Sequence, residues 1–341
     1  MMRRSPLFAL TQLTVSTFAS LIGGWIVYSR LAIDHNLSLD DAIDAKRGRF
    51  PAKDGGYLSY YADISAERIG EIQTTPLVLI HSINAAGSSY EMRPIFRAYC
   101  GSRDVYALDL PGFGFSSRND RVYSPELYRD AILDLLERIG KPADVIALSL
   151  GSEFAALAAL ERPDLFRSLT LISPSGFNRR DDKRVSQAAN QAGTSGFFYR
   201  LFSFPLWSQA FYDLLATRQS IHYFLQMSFA GPVAPDLETY SYQTTHQPGA
   251  KYAPLYFVSG KLFTPDVRER VYTQLRLPVL VLYDQDAFVR FDSLPQFVED
   301  HSNWHAVRIE PTKGLPQFEQ LATVTRELDA FWQQIGLQET Q

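Results

Sequence analysis

The sequence predicts an α/β fold, a mostly parallel sheet with helices on both faces and one helical insertion. Three observations predict it. Short apolar runs such as Leu77-Val78-Leu79-Ile80 suit strands buried on both faces. Helical patterns alternate with those runs, which calls for parallel pairing through crossover helices. Residues 177–276 break the alternation and hold a cluster of Phe, Tyr and Trp.

Each element has its own signal. Tyr57 to Asp63 reads as an early strand, Leu77 to Ile80 as the first buried strand and Asp104 to Leu110 as the next. A helix is expected near Tyr90 to Tyr99. Another is expected from Pro125 to Ile139, with Ser124 as N-cap and Pro125 at the first position, where a missing N–H costs nothing. Ala143 to Leu148 is a third buried strand, followed by a small-residue helix from Gly151 to Leu160. Ser168 to Ser173, Pro278 to Tyr283 and Ala306 to Ile309 complete the sheet, and Phe318 to Ile335 is a final amphipathic helix. In such sheets the chemistry sits at the carboxyl ends of the strands.

The 341 residues carry a net charge of −4, so no basic face for nucleic acid is expected. Cys100 is the single cysteine and reads as a packing residue at a helix end. No Cys/His spacing resembles a metal site, and neither a metal nor an organic cofactor is implied. At the amino terminus, Arg3 and Arg4 precede an uncharged run over residues 5–29. As a helix this run reaches ~37 Å, enough for a bilayer core of ~30 Å. Residues 1–32 therefore read as a single-pass membrane anchor or signal segment, with Thr17-Phe18-Ala19 a candidate cleavage site. The main domain is expected outside the cytoplasm. Residues 33–55 read as a linker, 56–176 and 277–341 as the α/β core, and 177–276 as a helical cap.

The local signal for chemistry is Ala147-Leu148-Ser149-Leu150-Gly151, set between a buried strand and a small-residue helix. A nucleophilic serine needs such a sharp turn so that its hydroxyl projects above the sheet. His81-Ser82-Ile83-Asn84 follows the first buried strand, where an oxyanion loop belongs. Asp109 to Ser116 forms a Gly-rich turn after the next strand, and Asp284-Gln285-Asp286 follows the strand after the insertion.

In this order the four motifs resemble the capped α/β-hydrolases, the group that includes esterases, haloalkane dehalogenases and epoxide hydrolases. The resemblance covers residues 55–335. Ser149 at the elbow points to the serine branch. The resemblance implies Asp286 as triad acid, with Asp284 as alternative, and N–H groups of Ile83 and Leu150 as oxyanion donors. It also implies a histidine in a Gly-His-x-Pro-x-x-Glu loop. Here the loop reads Lys313-Gly314-Leu315-Pro316-Gln317-Phe318-Glu319, so Gly314 stands where the base belongs. Candidate replacements are His81, His222 and His246; His35, His301 and His305 lie in the linker or at the wrong end of the last strand. Gln317 could orient a water but cannot act as a base. Two functions are then expected. One is a membrane-tethered serine hydrolase, esterase- or lipase-like, acting on an apolar ester or acyl substrate. The other is a catalytically silent binding protein for an apolar ligand or a protein partner.

Overall fold

The computed structural model describes residues 20–53, 55–64, 75–178 and 191–339. In chain order the elements are a helix over 20–31 (α1), β1 (Lys46–Pro51), β2 (Tyr57–Asp63), β3 (Leu77–Ile80), α2 (Arg93–Tyr99), β4 (Val105–Asp109), α3 (Pro125–Ile139), β5 (Ala143–Leu148), α4 (Gly151–Glu161) and β6 (Phe166–Ile172). The insertion follows: α5 (Gln191–Phe202), α6 (Ser208–Leu215), α7 (Arg218–Met227), α8 (Pro235–Thr245), α9 (Tyr252–Val258) and α10 (Val267–Arg270). The chain closes with β7 (Val279–Tyr283), α11 (Leu294–Asp300), β8 (Trp304–Arg308), α12 (Pro316–Glu319) and α13 (Leu321–Glu339).

The eight strands form one sheet in the order β1-β2-β4-β3-β5-β6-β7-β8. β1 and β2 run antiparallel to their neighbours, and β4 to β8 with β3 are parallel. The α/β architecture with a parallel core is therefore as the strand–helix alternation predicts. β3 and β5 are buried at every residue, which is why β3 reads as a continuous apolar run and β5 as one interrupted by Asp144 alone. One core lies on each side of the sheet. On one side α3 and α4 pack through Tyr128, Ile132, Leu136, Phe154 and Ala158. On the other, α2 and α13 pack through Phe96, Leu328, Phe331 and Trp332. Ser124 caps α3 as expected, its hydroxyl accepting from Leu127 N, and Pro125 occupies the first turn.

Three expectations are corrected. The segment read as a linker carries β1, which extends the sheet by pairing with β2 from Lys46↔Ala62 to Pro51↔Tyr57. Its sequence, KRGRFP, has Phe50 as its one buried residue, so no apolar alternation advertises it. Charged edge strands of this kind also resist pairing with other chains. The last helix begins earlier than expected and breaks at Gln320 into α12 and α13. Cys100 is exposed and is not a packing residue. Of the expected membrane run, residues 5–19 lie outside the described residues. Among the described residues no helix is long and apolar enough to cross a membrane. Residues 20–31 instead dock on the insertion: Trp25 Nε1 donates to Ala210 O at 2.8 Å, Ser29 Oγ to Asp213 Oδ2 at 2.6 Å, and the Arg30 guanidinium to Leu206 O at 2.9 Å.

The insertion sits over the carboxyl end of the sheet. Tyr212 on α6 donates to Ala85 O at 2.9 Å, Tyr240 on α8 stacks on Tyr90 at 4.7 Å, and Glu319 accepts from the N–H groups of Ala230 and Gly231. Buried Glu153 on α4 fastens its two ends, accepting from Ser175 Oγ after β6 and from Thr264 N at 2.7 Å near the exit. Burial raises the Glu153 carboxyl to about 7.

Candidate active site at the carboxyl end of the sheet

The turn after β5 is sharp because one residue in it takes a left-handed backbone. Ser149 has φ +52° and Leu148 before it ends the strand. A non-glycine residue there costs of order 1–2 kcal/mol, and such strain collects at functional sites. The turn is held by Ser149 N donating to Ile172 O at 2.8 Å and by Ser152 N donating to Ser149 O at 2.9 Å, which starts α4. Gly151 is required by close approach: a Cβ placed on it would fall inside contact distance of the His81 carbonyl oxygen. The elbow and the 81–86 loop are thus pressed together. Ser149 is half-buried, and its hydroxyl makes no hydrogen bond among the described residues. The N–H groups of Ile83 and Leu150 likewise donate to no described partner. Free N–H groups on the elbow and on the loop packed against it are what a developing oxyanion needs.

The 81–86 loop is fixed by a residue that the sequence reading passed over. Buried Glu91 accepts from Ser82 N at 2.8 Å, Ser82 Oγ at 3.0 Å and Asn84 Nδ2 at 2.8 Å. Burial pushes its carboxyl upward, and these donors oppose that. Gln317 Nε2 donates to Glu91 O at 3.0 Å, tying the Gly314 loop to the same loop. Gln317 is therefore a buried strut. An acid that appears as the third residue of Ser-Tyr-Glu-Met gives no motif to find it by.

Asp284 and Asp286 part ways. Asp284 accepts from Arg308 Nε at 2.7 Å and Thr312 N at 2.9 Å, which holds β8 and the turn after it. Asp286 uses Oδ1 for Phe288 N at 2.7 Å and Val289 N at 3.2 Å. Its Oδ2 faces Gly314: a Cβ built on that glycine, at φ +101°, would lie 2.7 Å away. Burial raises the Asp286 carboxyl, with the two N–H donors pulling the other way. Position 314 is thus beside the acid, and it has no side chain to offer.

None of the six histidines bonds to Ser149 or Asp286 among the described residues. His81 is fully buried. Its Nε2 accepts from Leu110 N at 3.0 Å, so its proton is on Nδ1, which donates to Ser82 O at 2.6 Å. Burial lowers it to about 4, leaving a neutral ring with both nitrogens in use. His222 lies at the surface between Glu238 Oε2 at 2.8 Å and Gln226 Nε2 at 2.8 Å. His246 is buried against the 34–37 segment, with Nδ1 2.8 Å from Tyr242 O and its ring 6.4 Å from His35. His35 itself pairs with Asp213 at 3.0 Å, His301 bonds Phe297 O at 2.7 Å, and His305 packs edge-on to Phe331. No cluster of three His, Cys, Asp or Glu side chains able to hold a metal occurs among the described residues.

Comparison with known proteins agrees with this architecture. Human 1-acylglycerol-3-phosphate O-acyltransferase ABHD5 is 35% identical over 120 residues, which is 32% of this chain and 32% of that one. The chain spans about a quarter to two-fifths of the length of the curated relatives it matches. Among solved structures, a membrane phospholipase A described as a bacterial virulence factor superposes with TM-score 0.62 and 17% identity over 96% of this chain and 97% of that one. A thermophilic esterase from Thermogutta terrifontis superposes with TM-score 0.63 and 18% identity over 85% and 99%. The Alpha/beta hydrolase family matches residues 77–320, a span that takes in every motif described above. The chain belongs to the α/β-hydrolase family.

Proposed function

We propose that the protein is a membrane-tethered serine hydrolase of low turnover that acts on an apolar ester or acyl substrate through an incomplete triad. Ser149 is the nucleophile, and Ile83 and Leu150 supply the oxyanion N–H groups. Asp286 is the acid–base group. The observation that carries this reading is the strained Ser149 backbone with its hydroxyl unbonded and two unengaged N–H groups on the elbow and the loop packed against it. A protein that only bound a ligand would gain nothing from that strain. Acyl-ester chemistry is also what the acyltransferase, phospholipase and esterase that this chain resembles have in common by name.

In the reaction, the Ser149 oxygen attacks the acyl carbonyl while its proton passes to Asp286 through a water in the space that Gly314 leaves open beside that carboxylate. Burial raises that carboxyl, which makes it a better base than an ordinary aspartate. The tetrahedral oxyanion is held by Ile83 and Leu150 N–H, the alkoxide departs with a proton, and water hydrolyses the acyl-serine. Without an imidazole to carry the proton, turnover is about 10⁴- to 10⁶-fold below that of a complete triad, and the oxyanion hole and binding leave ~10³- to 10⁴-fold over water.

The insertion acts as a cap, and its outer face supports the tether. Phe197, Phe198 and Leu201 of α5, with Phe204 and Leu206, are exposed next to the docking site of α1, which itself exposes Leu21, Val27 and Leu31. Exposed large apolar side chains gathered on neighbouring elements favour an interaction or membrane surface. In the sequence, Leu21 and Val27 belong to the uncharged run over residues 5–29.

The test is hydrolysis of medium-chain p-nitrophenyl esters by the purified full chain, which should float with lipid vesicles. Slow turnover that disappears in Ser149→Ala is expected. Equal rates in both proteins would overturn the reading. Gly314 specifically favours a second reading, a catalytically silent binding protein. That reading predicts saturable binding of the same esters with no acyl-serine formed.

A further inference from the structure

Arg118 is a cation set between the core and the insertion with almost nothing to bind. It lies in the loop after β4, half-buried, and its backbone and Cβ pack against the turn at Gly249, where a built Cβ would stand 3.1 Å from Arg118 Cβ. A guanidinium carries five N–H donors. Here the hydrogen bond found for that group is one at 3.2 Å, to Thr244 Oγ1 on α8. No carboxylate lies within ion-pair distance of it among the described residues. Three other sheltered arginines differ: Arg103 and Arg167 share Asp144, and Arg268 pairs with Glu269, whereas Arg93 rests on Tyr90, donating to its hydroxyl at 2.7 Å.

The titratable groups close enough to Arg118 to act on its charge are Asp109, Tyr212, Tyr240 and Tyr123. Asp109 is already occupied, accepting from Ser89 N, Ser89 Oγ and Phe115 N. Tyr212 donates to Ala85 O, in the loop that carries Ile83. The Tyr240 hydroxyl is buried beside Tyr61 and makes no hydrogen bond of good geometry among the described residues. Burial holds the Arg118 guanidinium below its ordinary range, although the group stays charged. The arrangement joins an unfilled fork of donors, the Tyr240 hydroxyl and the oxyanion loop under one roof. Leaving a sheltered cation unpaired is costly unless something anionic arrives.

We propose that Arg118 recognises an anionic headgroup, a phosphate or carboxylate, on the acyl ligand taken up beneath the insertion. The planar fork matches an oxyanion through two parallel hydrogen bonds, and the Tyr240 hydroxyl is a further donor. The proposal rests on the hydrolase reading for the position of the acyl group, but its test needs no turnover. A preparation that fails the hydrolysis test still reports on it.

The experiment is calorimetric titration of the full chain with octyl phosphate, octanoate and 1-octanol, which share one alkyl chain. The wild type should bind the two anions about tenfold to hundredfold more tightly than the alcohol. Arg118→Met should erase that preference while leaving octanol binding unchanged, and Arg118→Lys should keep part of it. Competition by inorganic phosphate at low concentration would identify the free anion as the natural ligand; its absence identifies the headgroup of a lipid-like ester. Should Arg118→Met fail to fold, ionic strength is the second readout. Added salt should weaken octyl phosphate binding to the wild type and not octanol binding. Equal affinity for all three probes, or a preference that survives Arg118→Met, overturns the proposal. A purely structural latch to Thr244 would change stability and leave the headgroup preference intact.

Discussion

Gly314→His is expected to raise ester hydrolysis by about 10²- to 10⁴-fold, the usual contribution of a positioned general base. The argument is geometric. The ends of β5 and β7 are separated by β6 alone, so they lie about 10 Å apart. That gap suits a carboxylate, an imidazole and a hydroxyl in line. A Cβ on residue 314 would start 2.7 Å from Asp286 Oδ2, so the carboxylate must swing a little, pivoting on the Oδ1 bonds to Phe288 and Val289. The φ of +101° makes any side chain there strained, at a cost of order 1–2 kcal/mol. Stability should therefore fall while activity rises, which separates this effect from general stabilisation. Gly314→Ala bears the same strain without a base and should show no gain. Combining Gly314→His with Asp286→Ala should remove most of the increase. The restored imidazole must be neutral to accept a proton, so the rate should climb as pH rises through about 6.5, or somewhat higher where ionised Asp286 favours the charged ring. Steady-state kinetics of the four proteins across pH check this. A folded Gly314→His variant no faster than wild type would mean that residue 314 does not face the reacting hydroxyl.

Asp144→Ala is expected to cost about 3–5 kcal/mol, against a total stability of roughly 5–15 kcal/mol for a typical domain. Asp144 is fully buried on β5 and accepts from Arg103 at 2.6 Å, from Arg167 at 2.7 and 2.9 Å, and from Ser168 Oγ at 2.6 Å. Its removal leaves two sheltered guanidinium groups without their carboxylate. The site lies at the amino end of the strand, a strand's length of ~17 Å from Ser149, so the chemistry itself is untouched. Denaturant unfolding of the purified variant should show a large fall in midpoint. Asp144→Asn, which keeps the shape and loses the charge, should be intermediate or equally poor. An unchanged midpoint would show that the pair is compensated elsewhere.

The core was legible because its residues obey simple periods. β3 is apolar at every position and β5 at every position but Asp144, since both faces are covered, and α3 announces itself through Ser124 and Pro125. The elbow was legible because a strand, a small-residue helix and a serine between them leave little else to build. β1 was not, because an edge strand needs one buried residue and can spend the others on charge. Position 314 could be read as a gap from the flanking Pro316 and Glu319. What fills the role of each histidine could not, since that depends on partners distant in the chain. His81 looked like a candidate base from its place after β3, and only the Leu110 N–H reveals that its free nitrogen is taken. Glu91, Glu153 and Arg118 escaped notice for the same reason: they act through three-dimensional neighbours, with no local pattern around them.

The central claim is that Ser149 is poised for acylation and lacks an imidazole, and covalent trapping tests it most directly. The full-length wild type is incubated with a fluorophosphonate, with and without added imidazole, and the adduct is mapped by peptide mass spectrometry. The account predicts one slow adduct, on Ser149, that forms faster when imidazole can occupy the space beside Asp286 and is missing in Ser149→Ala. A folded protein that stays unmodified at Ser149 under both conditions would contradict it.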